Sequence, residues 1–565
     1  MRTPPLRPIL ASLLFIHPAS HAQPVAPVPP PPPPALATLQ TRAEATDWQA
    51  TCTSAEVVSL LDTIAAKSPF ATRVSMGKTR EQRDMPVIIL SDPPVKSAQA
   101  ARELAAKERR AIIFLFGNIH AGEVDAKEAY LMLARELALT DHPQRPADYS
   151  DLLKQLIICI APNYNADGND QFGPIEVNRP GQGGPAWGAG KRHNSMDLDL
   201  NRDWGKLESP EARNIVKFIR DWDPHVIIDG HTTNGSWHRY LLTYAGPKVP
   251  AGDRRLIEWT RDVFFPKIDA AMLSEHKINT FFYGDFENVY APDTQETPQG
   301  TKREHSKWET FPAQARYSTG YLGLRGRIGL LSESYSYSTY KDRILGSRAF
   351  ALEVLRQCAR DRATIRDLIA KADDDGAGRG ATASREIAIR GKAAMAPSKV
   401  TVKGYVEERR NGRWVATGDE RNYEVELWNR YEPEKSVTRP AGYVFLQDAP
   451  QVIANLEAHG IQVTTLSKPT QLDCGVYTIT NISNTSRLFQ GHLLLNIEAT
   501  STTQTITLPV GTKIVPTNQP LGTLAVYLLE PESEDGLATW NFFDTWLGVG
   551  ERFPVARLST LPHSK

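Results

Sequence analysis

The sequence predicts an α/β protein: a mixed, mostly parallel sheet with helices on both faces, followed by a smaller β-rich domain. Three observations predict it. Short runs such as "AIIFLFGN" (111–118) and "LIICIAPN" (156–163) are continuously apolar and end in polar or Gly/Asn residues. That is the pattern of strands buried on both faces. Helical patterns lie between these runs, as crossover connections require. Beyond residue 384 the pattern changes to strand-like segments with a single helical interruption. At 565 residues the chain is long enough for two or three domains.

Taken in order, "MRTPPLRPILASLLFIHPASHAQ" (1–23) carries two arginines, then an apolar run, then small residues. It reads as a secretory signal peptide over residues 1–22, with cleavage after Ala22. The apolar run is too short to span a bilayer, and no later stretch approaches a spanning length. The expectation is therefore a secreted or periplasmic protein with no stable membrane span. Residues 23–44 form a Pro-rich linker, and its tract "QPVAPVPPPPPPAL" favours a stiff polyproline II spacer.

Residues 45–372 read as the first domain, with alternating strand and helix patterns. "TSAEVVSLLDTIAAK" (53–67) opens on a good cap and predicts a helix. Buried strands are expected at 85–92, 111–118, 156–163, 225–230 and 328–334. Helices are expected at 124–139, 209–222, 251–275 and 347–372. "DDDGAGRGATAS" (373–384) reads as a linker. In the β-rich domain, 385–565, strands are expected at 399–408, 423–431, 443–447, 492–500 and 503–510, with a helix at 449–460. There, "EPESEDG" (530–536) reads as a solvated acidic turn, with calcium binding the sharper alternative. The aromatics of "WNFFD" (540–544) read as core.

Hydrophobic residues make up 41% and charged residues 23%, and both values are ordinary for globular proteins. Lys+Arg and Asp+Glu each number 65, so the formal net charge is zero. This argues against a broad nucleic-acid surface or a polybasic membrane anchor. The four cysteines, Cys52, Cys159, Cys358 and Cys474, leave room for one or two disulfides in an exported protein. Cys159, inside a predicted buried strand, reads as a free core thiol. No CxxC pair is present, so no cysteine-based zinc finger is indicated.

In α/β sheets, functional residues gather at the carboxyl ends of strands. His120 and Glu123 follow the strand at 111–116, His231 follows the one at 225–229, and Glu333 closes the last. Two imidazoles and a carboxylate are a common set for a catalytic zinc, with a fourth position left for water. An H-x-x-E pair alone is weak evidence; its place between a buried strand and a helix strengthens it. "DLDLNRDW" (197–204) reads as an extended stretch on which Asp199 holds the outer nitrogen of a ligand histidine. Arg202 there offers a planar fork for a carboxylate.

At this point the chain resembles the zinc carboxypeptidases of the carboxypeptidase A type, as a bacterial exported member with a C-terminal β-rich extension. The pieces that carry the resemblance are "HAGE" (120–123), "NYNADGND" (163–170), "KRHN…DLNRDW" (191–204), "PEARNIVKFI" (210–219), "DGH" (229–231) and "LLSES" (330–334). They cover most of 75–340 in the family's order. The resemblance implies one Zn2+ held by His120, Glu123 and His231. It implies Glu333 as the catalytic glutamate and Arg192 as the oxyanion-stabilising arginine. It implies Asn201 and Arg202 as the grip on the substrate's terminal carboxylate. The tyrosine that closes over substrate best matches Tyr317, with Tyr321 second. The sequence "HTTNGSWHRY" (231–240) and the glycine-rich "NRPGQGGPAWGAG" (178–190) depart from the family's usual pattern and put substrate preference in doubt.

The expected function is an exported zinc-dependent carboxypeptidase that hydrolyses the C-terminal bond of a peptide. A murein-peptide hydrolase acting on peptidoglycan-derived substrates is the related alternative. A zinc deacylase or amide hydrolase on small acidic substrates is a second class, and a binding protein without catalysis a third.

Overall fold

The computed structural model describes residues 39–142, 145–233, 235–287, 297–380 and 385–562. The signal peptide and proline tract read from the sequence lie outside these residues. Residues 41–44 of the expected linker are ordered differently from a spacer. Thr41 and Glu44 cap each other reciprocally and start a helical turn, Arg42–Ala45.

Eight strands form the central sheet: β1 (Ala71–Lys78), β2 (Asp84–Leu90), β3 (Ala111–Gly117), β4 (Leu156–Ala161), β5 (Val226–Thr233), β6 (Leu242–Ala245), β7 (Thr280–Phe282) and β8 (Ile328–Tyr335). Their spatial order is β1-β2-β4-β3-β5-β8-β6-β7. The junctions β4–β3, β3–β5, β5–β8 and β6–β7 are parallel. The junctions β1–β2, β2–β4 and β8–β6 are antiparallel. The sheet is therefore mixed and mostly parallel, as expected.

Alternation along β3 explains the layers. Ile112, Phe114 and Phe116 enter one apolar cluster, and Ile113 and Leu115 enter the other. The second cluster is covered by helices Ser54–Lys67, Asp125–Ala138 and Tyr340–Arg360. The first is covered by helices Ala98–Glu108 and Pro210–Trp222. It also includes Tyr443, Leu456, Tyr527 and Leu528 from the C-terminal region. One face of the catalytic sheet is thus closed by chain far downstream.

That region is β-rich as expected, with longer strands. Segments 492–500 and 503–510 are one strand, Leu495–Leu508, paired with Thr470–Asn484. Segment 423–431 belongs to two strands, Arg413–Trp428 and Arg430–Thr438. Arg413–Trp428 pairs with Lys307–Glu309 from the earlier half of the chain. A helix, Gly522–Leu529, is fully buried where no helix was expected.

Other boundaries moved for physical reasons. The helix expected at 251–275 is interrupted by a π-turn at Thr260–Phe264. The helix expected at 347–372 is two helices that break at Asp361. The second runs to Gly376, inside the expected linker, because Arg327 pins Asp373 and Arg255 pins Asp375. All four cysteines are buried free thiols. The segment 530–536 is not a solvated turn. Glu530 accepts hydrogen bonds from the Tyr443 and Tyr477 hydroxyls, and Asp535 is fully buried against Arg316. Those partners use the carboxylates internally. Trp540 and Phe543 are core. Among the described residues, no helix is long and apolar enough to cross a membrane.

Candidate active site

The site is built at the carboxyl ends of three neighbouring strands. β3 ends at Gly117, and the loop after it carries His120 and Glu123. β5 carries His231, and β8 carries Glu333 directly opposite it in register. The bend after β3 is made by Asn118, at φ 64°. Its side chain donates to Asn163 Oδ1 and Asn169 Oδ1, so the "NYNADGND" segment braces the loop. Gly122 serves close approach, not bending. A Cβ there meets Arg179 Cδ at 2.2 Å and the Gly190 carbonyl at 2.7 Å.

His120, Glu123 and His231 are all buried and bring one donor atom each within 4.8 Å of the others. His120 Nδ1 lies 3.1 Å from Glu123 Oε1, and His231 Nδ1 lies 3.0 Å from Glu123 Oε2. The two Nδ1 atoms are 3.1 Å apart. Zinc bonds of about 2.0–2.1 Å at tetrahedral angles separate ligand atoms by roughly 3.3 Å. The outer ring nitrogens are both held by carboxylates. His120 Nε2 is 3.0 Å from Asp199 Oδ1, and His231 Nε2 is 2.9 Å from Asp229 Oδ2. This is the arrangement that turns a histidine's free nitrogen toward a metal. Donor chemistry, spacing and outer partners all fit a single zinc ion.

The electrostatics are dominated by burial. Burial opposes ionisation of Glu123, but His120 and Arg179 outweigh it and hold the carboxyl well below the usual range. Burial also opposes charge on Asp199, and His120, Arg192 and Arg202 reverse the balance. Glu333 goes the other way. Burial, with Glu123 and Asp229 nearby, lifts its carboxyl to about 8 against the attraction of His231 and Arg192.

One cleft of about 160 Å³ is lined by His120, Glu123, Arg192, Asn201, Arg202, His231, Tyr317 and Glu333. The residues expected at the site border this cleft, except Asp199, which stands behind His120, and Tyr321, the second of the two candidate tyrosines. Arg192 donates to Asp199 Oδ2 at 3.0 and 2.8 Å, and its Nη1 is 3.5 Å from Glu123 Oε1. "DLNR" is not extended. Leu200–Arg202 is a 3-10 turn capped by Asp199, which accepts from the Asn201 N–H at 2.9 Å. Asn201 Oδ1 accepts from the Ser318 N–H, and Asn201 Nδ2 is 3.4 Å from His231 Nε2. Arg202 lies over the Tyr317 ring at 4.5 Å. Tyr321 is excluded from the cleft: it is fully buried, and its hydroxyl is 2.8 Å from His459 Nδ1.

Several neighbours were not legible in the sequence. Asp229 stands two residues before His231, and strand alternation could have revealed it. Arg179, from the glycine-rich loop, donates to Glu123 Oε1 at 2.8 Å. Gln182, Tyr283 and Phe311 complete the cleft wall from three distant segments. No local signal marks them.

The profile of the zinc carboxypeptidase family matches residues 57–263, a span that contains all three metal-facing residues. The match, which spans just over a third of the chain, and the relatives' names support a metallopeptidase enzyme. "Carboxypeptidase 2" of Trichophyton rubrum is 23% identical over 498 residues, 85% of this chain and 81% of that protein. "Carboxypeptidase Z" of Mus musculus is 32% identical over 163 residues, 28% of this chain and 22% of that protein. Among solved structures, a metallo-carboxypeptidase from Burkholderia cenocepacia is 16% identical with a TM-score of 0.37, covering 54% of this chain and 68% of that one. The long match is thus to fungal carboxypeptidases, and it supports a carboxypeptidase function.

Proposed function

We propose that this zinc carboxypeptidase is exported and removes the C-terminal residue of peptides, with zinc held by His120, Glu123 and His231. The observation that carries the reading is the convergence of three buried donors on one point beside Glu333 and Arg192. A zinc ion bound by these three residues would supply Lewis-acid chemistry, polarising the carbonyl and making water a stronger nucleophile near neutral pH.

The chain's own residues supply the rest. Glu333 accepts the proton of the attacking water and returns it to the leaving amine. A carboxyl with raised proton affinity in a buried cleft suits that double role. Arg192, fixed by Asp199, stabilises the oxygen that becomes negative as the carbonyl is attacked. Arg202, with its guanidinium lying over Tyr317, binds the free carboxylate of the last residue and restricts cleavage to the chain end. Asn201 is engaged with Ser318 and His231, so its first contribution is to hold that turn in place. Export rests on the N-terminal 22 residues.

Replacing Glu333 with Gln tests the reading. The E333Q protein should bind zinc normally and lose hydrolysis by at least about 10³-fold, an effect typical of removing a general base. Zinc content by metal analysis and turnover of a blocked dipeptide check it. Near-normal turnover would falsify the assignment.

A further inference from the structure

Behind the aromatic wall of the cleft lies a second, larger cavity of about 440 Å³. Tyr283 borders both spaces. Phe311 lines the cleft, with its ring 5.3 Å from that of Tyr317 and 5.7 Å from that of Tyr283. On that same Phe311 ring sits the ammonium of Lys248, 3.1 Å from the centroid. Lys248 faces the second cavity and is only 6% exposed.

Its surroundings are unusual for a buried lysine. Among the described residues its side chain has one hydrogen bond, a long one of 3.4 Å to Thr310 Oγ1. Burial pushes its ammonium well below the ordinary lysine range, and among the described residues no carboxylate opposes the shift. Two more groups on the cavity wall are underused: among the described residues, Arg430 Nε and Asn429 Oδ1 have no hydrogen-bond partner. The wall carries four cations, Lys248, Arg254, Arg261 and Arg430, against two carboxylates, Glu258 and Glu432. Glu258 is already paired with Arg254. Arg261 is likewise paired with Asp262, beside the wall, which leaves Lys248 as the most buried cation of the lining and, among the described residues, one with no carboxylate partner.

Burial disfavours the charged form of a lone amine, and a carboxylate brought beside it restores that form and pairs with it. The aromatic face below Lys248 offsets part of that cost and fixes the ammonium against the cleft wall. We propose that this cavity receives the side chain of an acidic residue at the C-terminus of the peptide, with Lys248 as its ion-pair partner. The inference rests on the carboxypeptidase reading above and names its substrate class. Arg202 holds the main-chain carboxylate, and Lys248, on the Phe311 ring that lines the cleft, holds the side-chain carboxylate, with Tyr283 at the boundary the two spaces share. The substrate is then a peptide ending in Glu or Asp.

The test uses the zinc-loaded full chain and blocked peptides that differ only in the last residue: Glu, Asp, Gln, Leu and Lys. The Glu peptide should show kcat/KM at least ten-fold above its neutral isostere Gln. Lys248→Met should lower the Glu value ten-fold or more and leave the Leu value within about three-fold. Equal rates for Glu and Gln in the unaltered protein would overturn the proposal, whether or not the variant folds. So would a K248M enzyme that keeps the preference. Glutarate, a free dicarboxylate, should compete with the Glu peptide. Inhibition that does not compete would mean a separate anion site and overturn the proposal. Failure to cleave any peptide at its end would instead reject the carboxypeptidase reading.

Discussion

At the scale of single residues, the site separates what a sequence can show from what only folding supplies. The convergence of His120, Glu123, His231 and Glu333 was legible because each lies in or just after the carboxyl-terminal part of an apolar strand. Asp199 was legible in role but not in conformation, since its capping of a 3-10 turn replaced the extended geometry expected. Asp229 was passed over, although it holds His231 Nε2 at 2.9 Å and accepts from Ser318 Oγ at 2.6 Å. Its carboxylate fixes the ring that a zinc ion would use. Asp229→Asn keeps the shape of the side chain and removes the charge. The expected result is a fall in zinc affinity of about 10–100-fold with little change in melting temperature. Competition against a chromophoric chelator measures it, and unchanged affinity would show that Asp229 serves packing alone.

At the scale of elements, continuous apolar strands announced themselves and half-exposed ones did not. β1 reads "ATRVSMGK", with one fully buried residue in eight, so nothing in it suggests a strand. The hairpin strand Thr470–Asn484 is also half exposed, and no strand was expected there. A subtler element-level fit was also invisible. Gly230 lies where β5 meets helix Asp125–Ala138, and a Cβ there would come 2.4 Å from Ala126 Cβ and 2.9 Å from the Tyr130 hydroxyl oxygen. That helix follows directly on Glu123, so any displacement of it moves a metal-facing carboxylate. Gly230→Ala should destabilise the fold by about 1–3 kcal/mol, as overpacking does, and weaken zinc binding with it. Adding Ala126→Gly should return part of both losses. A double-mutant cycle on thermal unfolding and chelator competition tests this; independent effects would contradict it.

At the scale of the whole molecule, the C-terminal region works as a buttress for the site. The tip of the hairpin around 489–492 reaches back across the catalytic face. Gln490 Oε1 accepts from the N–H of Asp199 at 2.7 Å, and Asp199 in turn holds His120. Asp535 accepts from the backbone N–H and the Nε of Arg316, the residue before Tyr317. Pattern changes in the sequence marked a second region but could not show that it shares a core with the first. Contact between residues almost 300 positions apart leaves no local trace. His492 is the clamp's titratable part: its Nε2 lies 2.8 Å from Glu208 Oε1 and its Nδ1 2.9 Å from Asn541 Oδ1. The bond to Glu208 raises the His492 pKa against partial burial. Burial opposes charge on Glu208, but His492 and Lys206 outweigh it and lower its carboxyl to about 2. The signs then fix a window. The raised histidine contributes stability fully below its unfolded pKa near 6.5, and that contribution fades as pH rises through the folded value. The depressed glutamate contributes fully above its unfolded value near 4.5 and fades as pH falls toward 2. The clamp is therefore strongest between about pH 4.5 and 6.5. His492→Gln should lower the melting temperature most in that window and progressively less toward pH 8 and above. A deficit independent of pH would show that His492 acts through packing alone. Gln490→Ala should leave this pH profile unchanged and lower zinc affinity instead, because it loosens Asp199 without touching the clamp.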